Sequence, residues 1–282
     1  MPVSNTAVRL KDNETNSNCF VLDDIKPDFD AELMVAKFQP GSIRVEKALR
    51  ELIEEARPLA RPRAAFKVCA IESAPPAPSV YLDGIRFDGA LIRDNLFGLD
   101  QTFAYVATEG PELASWSEGL SNAGRLFSWP IRYAALKLAE KEMSGLIRSS
   151  FARPEWPASF GSGFHPEGDE SVTPPLSSMN PGPLQLWPIE QQRPLFELLS
   201  PLPELIGVNL QPNCWMTPDL ASSGIYFQAE PRFYNCQLCR LEPCTRRRTA
   251  YRGLDGWPKR RRNIEACAGG GGPGRLLCRC SI

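Results

Sequence analysis

Apolar residues follow a helical period in two long parts of the chain. Between positions 45 and 56 they stand at i, i+3, i+4, i+7, i+8 and i+11, which predicts an amphipathic helix. Ser42 is placed to cap this helix and Pro58 to end it. Residues 130–147 predict a second, longer helix with Pro130 in its first turn.

Shorter apolar segments predict strands, and two further segments predict short helices. The strands are expected at 66–71, 81–87, 103–108, 206–210 and 223–227, and the helices at 90–99 and 189–199. Asp83-Gly84 can form a tight turn inside the second strand. Helices and strands follow no repeating order, so we expect an α+β fold with a largely antiparallel sheet flanked by helices, rather than a doubly wound one.

Composition divides the chain into four parts. Residues 1–40 are polar and acidic and predict an N-terminal arm, whereas 41–235 carry the helices and strands of a folded domain. Within that domain, residues 149–188 are rich in Pro, Gly and Ser, and they predict a long loop that is either functional or disordered. Residues 236–251 form a cysteine-rich segment. Residues 252–282 include consecutive glycines at 269–272 and predict a disordered tail.

Charge and residue counts limit the possible functions. The formal net charge is -1, and no apolar run is long enough to span a bilayer, so a cytoplasmic protein without a membrane partner is expected. The single histidine, His165, argues against Ser-His-Asp catalysis and against histidine-rich metal sites. The nine cysteines, in a chain with no recognisable export signal, predict reduced thiols or metal ligands.

One run near the C-terminal end resembles a known family. It reads Met216-Thr217-Pro218-Asp219-Leu220-Ala221-Ser222-Ser223-Gly224-Ile225-Tyr226-Phe227, and it is similar to the signature segment of the activation domain of cobalamin-dependent methionine synthase. The family has the same residue at Met216, Pro218, Ser223, Gly224, Tyr226 and Phe227. Upstream, Asn180-Pro181-Gly182 resembles the family's Pro-Gly turn, and residues 195–199 resemble the short helix between the two. The resemblance covers residues 80–230, and its specificity comes from 180–227.

The resemblance implies a function. It implies S-adenosylmethionine bound by Asn180, Pro181, Gly182, Ser223, Gly224 and Tyr226. The protein would dock on a corrinoid-binding protein, or on the cobalamin domain of methionine synthase, and would serve reductive reactivation of the cobalamin with an external reductase. It would then be a component of a methyltransferase activity with no catalytic residue of its own. A Pro-Gly turn exposes backbone groups to a ligand, and Tyr226 offers an aromatic face to a sulfonium cation.

Two positions depart from the family pattern. Ser178 stands where the family has an arginine that holds the cofactor's carboxylate, and Pro183 stands where it has a tyrosine. A bidentate arginine is a large part of carboxylate recognition. We therefore include the hypothesis that Arg193, from the following helix, takes the place of the missing arginine.

The segment Cys236-Gln237-Leu238-Cys239-Arg240-Leu241-Glu242-Pro243-Cys244 suggests a metal centre. Its Cys-x2-Cys-x4-Cys spacing suits zinc or an iron-sulfur cluster held by Cys236, Cys239 and Cys244. Cys214, Cys69, Cys267 or an external ligand would complete the site, and three free thiols are the simpler alternative. The alternative function is accordingly a small iron-sulfur or zinc-binding redox or interaction protein on the same fold.

A basic stretch follows the cysteines, at 246–248, 252 and 259–262. Such arginine clusters can bind nucleic acid or an acidic partner. Nucleic-acid binding is not expected here, because most of the stretch falls in the predicted tail.

Overall fold

The structure, a computed structural model of the 282-residue chain, describes residues 8–9, 18–27, 29–38, 41–72, 79–150, 176–184, 186–229, 232–244 and 247–253. The predictions made for His165, for Cys267 and for the tail beyond residue 253 lie outside these residues.

An antiparallel sheet forms the frame of the molecule. Its strands are β1 (Val8–Arg9), β2 (Cys19–Leu22), β3 (Arg63–Glu72), β4 (Ser79–Leu82), β5 (Ile85–Asp88), β6 (Gln101–Thr108), β7 (Leu176–Met179) and, after the separate hairpin of β8 (Asn209–Leu210) and β9 (Met216–Thr217), β10 (Ala221–Gln228). The strand order is β1-β2-β3-β6-β10-β7, with the β4–β5 hairpin attached to β3. Each of these pairings is antiparallel, which confirms the predicted α+β class.

Helices cover the sheet. They are α1 (Ala31–Phe38), α2 (Ile43–Ala56), α3 (Ala90–Leu96), α4 (Pro111–Glu118), α5 (Asn122–Ser150), α6 (Gln192–Leu199), which a 3-10 turn at Ile189–Gln191 precedes, and α7 (Leu202–Leu205). A further 3-10 turn spans Asn235–Gln237. The Ser42 hydroxyl accepts a hydrogen bond from the backbone N–H of Val45 at 3.3 Å, so the predicted cap of α2 is confirmed.

The two faces of the sheet carry separate cores. On one face α5 packs against aromatic residues of β3, β6 and β10, namely Phe66, Phe103, Tyr105 and Tyr226. The other face holds Ile225 and Phe227 beneath α3 and α6. A third cluster joins α1 and α2 to the early part of α5. Side chains from alternate positions of β10 therefore point into different cores.

Three sequence predictions need correction. Residues 19–22, expected in an irregular arm, form β2, which pairs with both β1 and β3 and buries three of its four side chains. Residues 176–179, expected in a loop, form β7, whose pairing partner β10 is remote in sequence. Helix α5 begins at Asn122, so Pro130 lies inside it rather than in its first turn. The loss of one helical hydrogen bond at Pro130 is tolerated because α5 packs against both α2 and the sheet.

Among the helices that the structure describes, none is long and apolar enough to cross a membrane.

Candidate ligand-binding site

A cavity of about 460 Å³ lies between α5, the edge of the sheet and the segment that follows β10. We call it the tyrosine cavity. Its lining comprises Lys137, Glu140, Lys141, Ser144 and Arg148 of α5; Tyr105, Leu176, Ser178, Ser222 and Tyr226 of the strands; Asn180; and Arg232, Phe233, Tyr234, Asn235, Cys236 and Arg248. Its walls therefore come from four regions that are distant in sequence.

Two tyrosines form the floor of the tyrosine cavity. The ring centroids of Tyr105 and Tyr226 are 4.5 Å apart. Gly224 lies opposite Tyr105 in the β6–β10 ladder. A Cβ atom at position 224 would lie 2.3 Å from the Met179 carbonyl oxygen and 3.2 Å from Tyr105 Cε1. Only glycine lets β7 and the Tyr105 ring approach β10 this closely.

Asn180 joins the walls of the cavity. Its Nδ2 donates to the Tyr105 hydroxyl at 2.8 Å and to the Ser223 carbonyl at 2.6 Å. Its Oδ1 accepts from Asn235 Nδ2 at 3.3 Å. One side chain thus connects the end of β7 with β6, with β10 and with the segment after β10.

Both tyrosines are neutral at ordinary pH. Burial raises the pKa of Tyr105, although hydrogen bonds from Ser222 and Asn180 and the charge of Arg248 act in the opposite direction. Burial likewise raises the pKa of Tyr226, against the charges of Arg148 and Arg248. The phenols therefore offer hydrogen-bonding hydroxyl groups and aromatic faces, but no charge.

The tyrosine cavity is strongly cationic. Lys137, Lys141, Arg148, Arg232 and Arg248 face one carboxylate, Glu140, and that carboxylate is paired with Lys137. None of the other four cations makes an ion pair with a carboxylate of the described residues. Such a cavity favours a ligand that carries a negative group.

The six residues predicted to bind a cofactor differ in where they lie relative to the tyrosine cavity. Asn180 and Tyr226 line the cavity, and Gly224 shapes it. Pro181 and Gly182 follow Asn180 in the predicted turn but are not among the lining residues. Gly182 has φ +98, and its N–H donates to the Trp187 carbonyl at 2.8 Å. The turn thus holds Asn180 in place rather than presenting its own backbone to the cavity.

The Ser223 side chain points to the face of the sheet opposite the tyrosine cavity. Its hydroxyl donates to Gln192 Oε1 at 2.7 Å, beneath α6, and only its carbonyl reaches Asn180. The neighbouring Ser222 lines the cavity instead. The alternation of side chains along β10 explains the exchange.

The hypothesis about Arg193 gains no support from the tyrosine cavity. Its guanidinium donates to the Pro212 carbonyl, and Arg193 is not among the residues that line the cavity. Ser178 does line it, and the guanidinium groups there belong to Arg148, Arg232 and Arg248. The sequence analysis named Arg248 only as part of the basic stretch at 246–248, and it gave no sign that the three arginines share one cavity.

The cysteine-rich segment folds around an arginine. The Arg247 guanidinium donates to the carbonyls of Cys236 at 3.3 Å, Cys239 at 3.4 Å and Leu241 at 2.6 Å. Cys236, Cys239 and Cys244 are free, half-buried thiols. Among the described residues no three His, Cys, Asp or Glu side chains are arranged to hold a metal ion. The predicted metal site is therefore not confirmed, and it stays a prediction.

The signature run also borders a second cavity, of about 500 Å³, which Met216 and Pro218 help to line. Beside it the Arg132 guanidinium is paired with both Glu109 and the more exposed Asp219. Burial raises the pKa of Glu109 to about 7, although the hydrogen bond and charge of Arg132 act against this. The beginning of the signature run thus contributes Asp219 to an ion-pair network, whereas Ser222 and Tyr226, nearer its end, line the tyrosine cavity.

Comparison with known proteins shows a similarity to solved structures. No protein-family model matches the chain, and neither does any curated protein sequence. Among solved structures, the chain is similar to the MetH reactivation domain bound to AdoHcy, with 12% sequence identity and a TM-score of 0.45, over 72% of this chain and 68% of that one.

Proposed function

We propose that this protein binds S-adenosylmethionine in the tyrosine cavity and acts as an accessory protein for reductive reactivation of cobalamin. One observation carries the proposal. Asn180, from the Pro-Gly turn, and Tyr226, from the signature run, are separate parts of the family resemblance, and both line one cavity. They are connected through Tyr105, which accepts a hydrogen bond from Asn180 and packs against Tyr226.

The lining suits the parts of such a ligand. A cavity of about 460 Å³ falls within the range of small-molecule sites. The tyrosine faces can pack against adenine or attract a sulfonium cation. Glu140 can accept from the ligand's ammonium group, and arginine can bind its carboxylate. Asn180, Ser178 and Ser222 supply polar groups for the ribose hydroxyls.

The chain's contribution to the reaction is to bind, to orient and to exclude water. A corrinoid on another polypeptide, once reduced by an external reductase, would accept the methyl group of the sulfonium and leave S-adenosylhomocysteine. The proposed partner is a corrinoid-binding protein or the cobalamin domain of methionine synthase, and the proposed place of the interaction is the cytoplasm. No nucleophile or proton-transfer residue is required of this chain.

Calorimetry with S-adenosylmethionine tests the proposal, and two adjacent serines provide a matched pair. Ser222→Ala removes a hydroxyl from the cavity, so we expect weaker binding. Ser223→Ala removes a hydroxyl that bonds Gln192 on the opposite face, so we expect reduced stability but unchanged affinity. Tyr226→Ala removes the aromatic floor and should abolish binding. The absence of heat at millimolar ligand with a folded wild-type protein would refute the proposal, as would equal effects of the two serine variants on affinity.

A further inference from the structure

We propose that Arg148, Arg232 and Arg248 form an anion subsite in the tyrosine cavity, which takes a carboxylate or phosphate group. For the S-adenosyl ligand this group is the carboxylate of the amino-acid moiety, and in that assignment the inference rests on the proposed function. The three arginines would do from other walls of the cavity what Ser178 cannot do from β7.

The three arginines line the same cavity from separate elements. Arg148 lies in the last turn of α5, while Arg232 and Arg248 lie in the segment that follows β10. The charges of Arg148 and Arg248 both act on the Tyr226 hydroxyl. The Arg232 guanidinium lies 5.0 Å from the centroid of the Tyr234 ring, which orients it. The backbone of Arg248 is held by a contact of its N–H with Cys236 Sγ at 3.5 Å.

Among the described residues, no carboxylate neutralises the charges of this subsite. The three arginine side chains make no ion pair with a described carboxylate, and all three residues are exposed to solvent at the cavity. Glu140, the single carboxylate of the lining, is already paired with Lys137. The planar guanidinium matches the two oxygens of a carboxylate or phosphate, and it binds them through paired charge-assisted hydrogen bonds.

Calorimetry on the full chain separates the possible ligands. The probes are S-adenosylhomocysteine, 5′-methylthioadenosine, which lacks the amino-acid carboxylate, and inorganic phosphate. The variants are Arg148→Gln and Arg248→Gln, and the control is Arg44→Gln, an exposed arginine of α2 that does not line the cavity. Thermal unfolding checks that each variant is folded.

We expect each cavity variant to lower the affinity for S-adenosylhomocysteine by roughly tenfold to a hundredfold, as for a lost hydrogen bond to a charged group. The affinity of these variants for phosphate should fall in parallel, and their affinity for 5′-methylthioadenosine should change little. Arg44→Gln should bind all three probes with wild-type affinity. Wild-type affinity of both cavity variants for S-adenosylhomocysteine and phosphate would overturn the subsite, as would equal weakening of 5′-methylthioadenosine. If the wild type binds neither S-adenosylhomocysteine nor phosphate, the subsite is also refuted. Arginine-dependent phosphate binding without S-adenosylhomocysteine binding would support the subsite and refute the proposed function.

Discussion

Substitution of Gly224 by alanine tests the packing that creates the tyrosine cavity. The added Cβ would lie 2.3 Å from the Met179 carbonyl oxygen and 2.8 Å from Asn180 Nδ2. Both neighbours are held, Met179 by the β7–β10 ladder and Asn180 by its hydrogen bonds to Tyr105 and Ser223. Neither can withdraw without breaking those contacts, so β7 must move away from β10.

The cost follows from two opposing effects. Overpacking of a filled site destabilises by about 1–3 kcal/mol, and each backbone hydrogen bond lost between β7 and β10 costs about 1 kcal/mol more. Alanine restricts the unfolded chain and returns about 0.5–1 kcal/mol. We therefore expect Gly224→Ala to lower the free energy of unfolding by about 2–3 kcal/mol. It should also weaken ligand binding, because Asn180 moves with β7.

Gly145→Ala is the matched control. Gly145 lies in α5, and a Cβ there meets nothing within 4 Å. The same substitution should raise the free energy of unfolding by about 0.5–1 kcal/mol. Urea unfolding of both variants, with unchanged m values, gives the comparison. If Gly224→Ala unfolds at the same urea concentration as the wild type, β7 and β10 do not approach each other this closely in solution, and the packing argument is refuted.

Three further changes have defined outcomes. Because the folded pKa of Glu109 is about 7 and its ordinary value is 4.5, the folded state holds this proton to higher pH than the unfolded chain. The free energy of unfolding should then fall as pH rises from about 4.5 to about 7. Urea titrations should show a smaller fall in Glu109→Gln. The same pH dependence in the variant and the wild type would contradict the burial argument. Arg247→Ala removes the donor to three carbonyls of the cysteine-rich segment, so amide exchange at residues 236–244 should accelerate while β10 stays protected. Metal analysis of protein purified without oxygen tests the predicted zinc or iron-sulfur site: we expect bound zinc or iron that is lost in a Cys236, Cys239 and Cys244 triple serine variant, and a metal-free wild-type protein would contradict the prediction.

Local patterns in the sequence identified the elements whose burial is one-sided or complete. The helix predicted at 45–56 is α2, because its apolar stripe and its Ser42 cap are independent of the rest of the fold. The strand predicted at 103–108 is β6, since an unbroken apolar run suits a central strand. By contrast, β7 has the sequence Leu-Ser-Ser-Met, and only its pairing with β10 makes it a strand.

The candidate site was harder to predict because both faces of β10 are buried. Ser223, Gly224, Ile225, Tyr226 and Phe227 are all buried, so no polar–apolar alternation marks which face holds the ligand. The family resemblance implied Ser223, whereas Ser222 is the serine that lines the tyrosine cavity. The arginines of the cavity depend on tertiary contacts alone. No local pattern relates the end of α5 to Arg232 and Arg248.

The charge of the tyrosine cavity also sets an order of affinities. S-adenosylmethionine carries a sulfonium charge that S-adenosylhomocysteine lacks, and the cavity holds five cationic side chains against one carboxylate. Two unit charges roughly 8 Å apart in water repel by about 0.5 kcal/mol, so several such pairs amount to about 1–2 kcal/mol. The attraction of the sulfonium to a tyrosine face, about 0.5–1 kcal/mol at an exposed site, is smaller.

S-adenosylhomocysteine should therefore bind up to roughly tenfold more tightly than S-adenosylmethionine at low salt, and added salt should reduce the difference. Calorimetry at two ionic strengths measures both effects. The opposite order would mean that the sulfonium lies against Glu140 and away from the arginines. If the expected order holds, the isolated protein prefers S-adenosylhomocysteine, and under the proposed function docking of the corrinoid partner would have to supply the preference for S-adenosylmethionine.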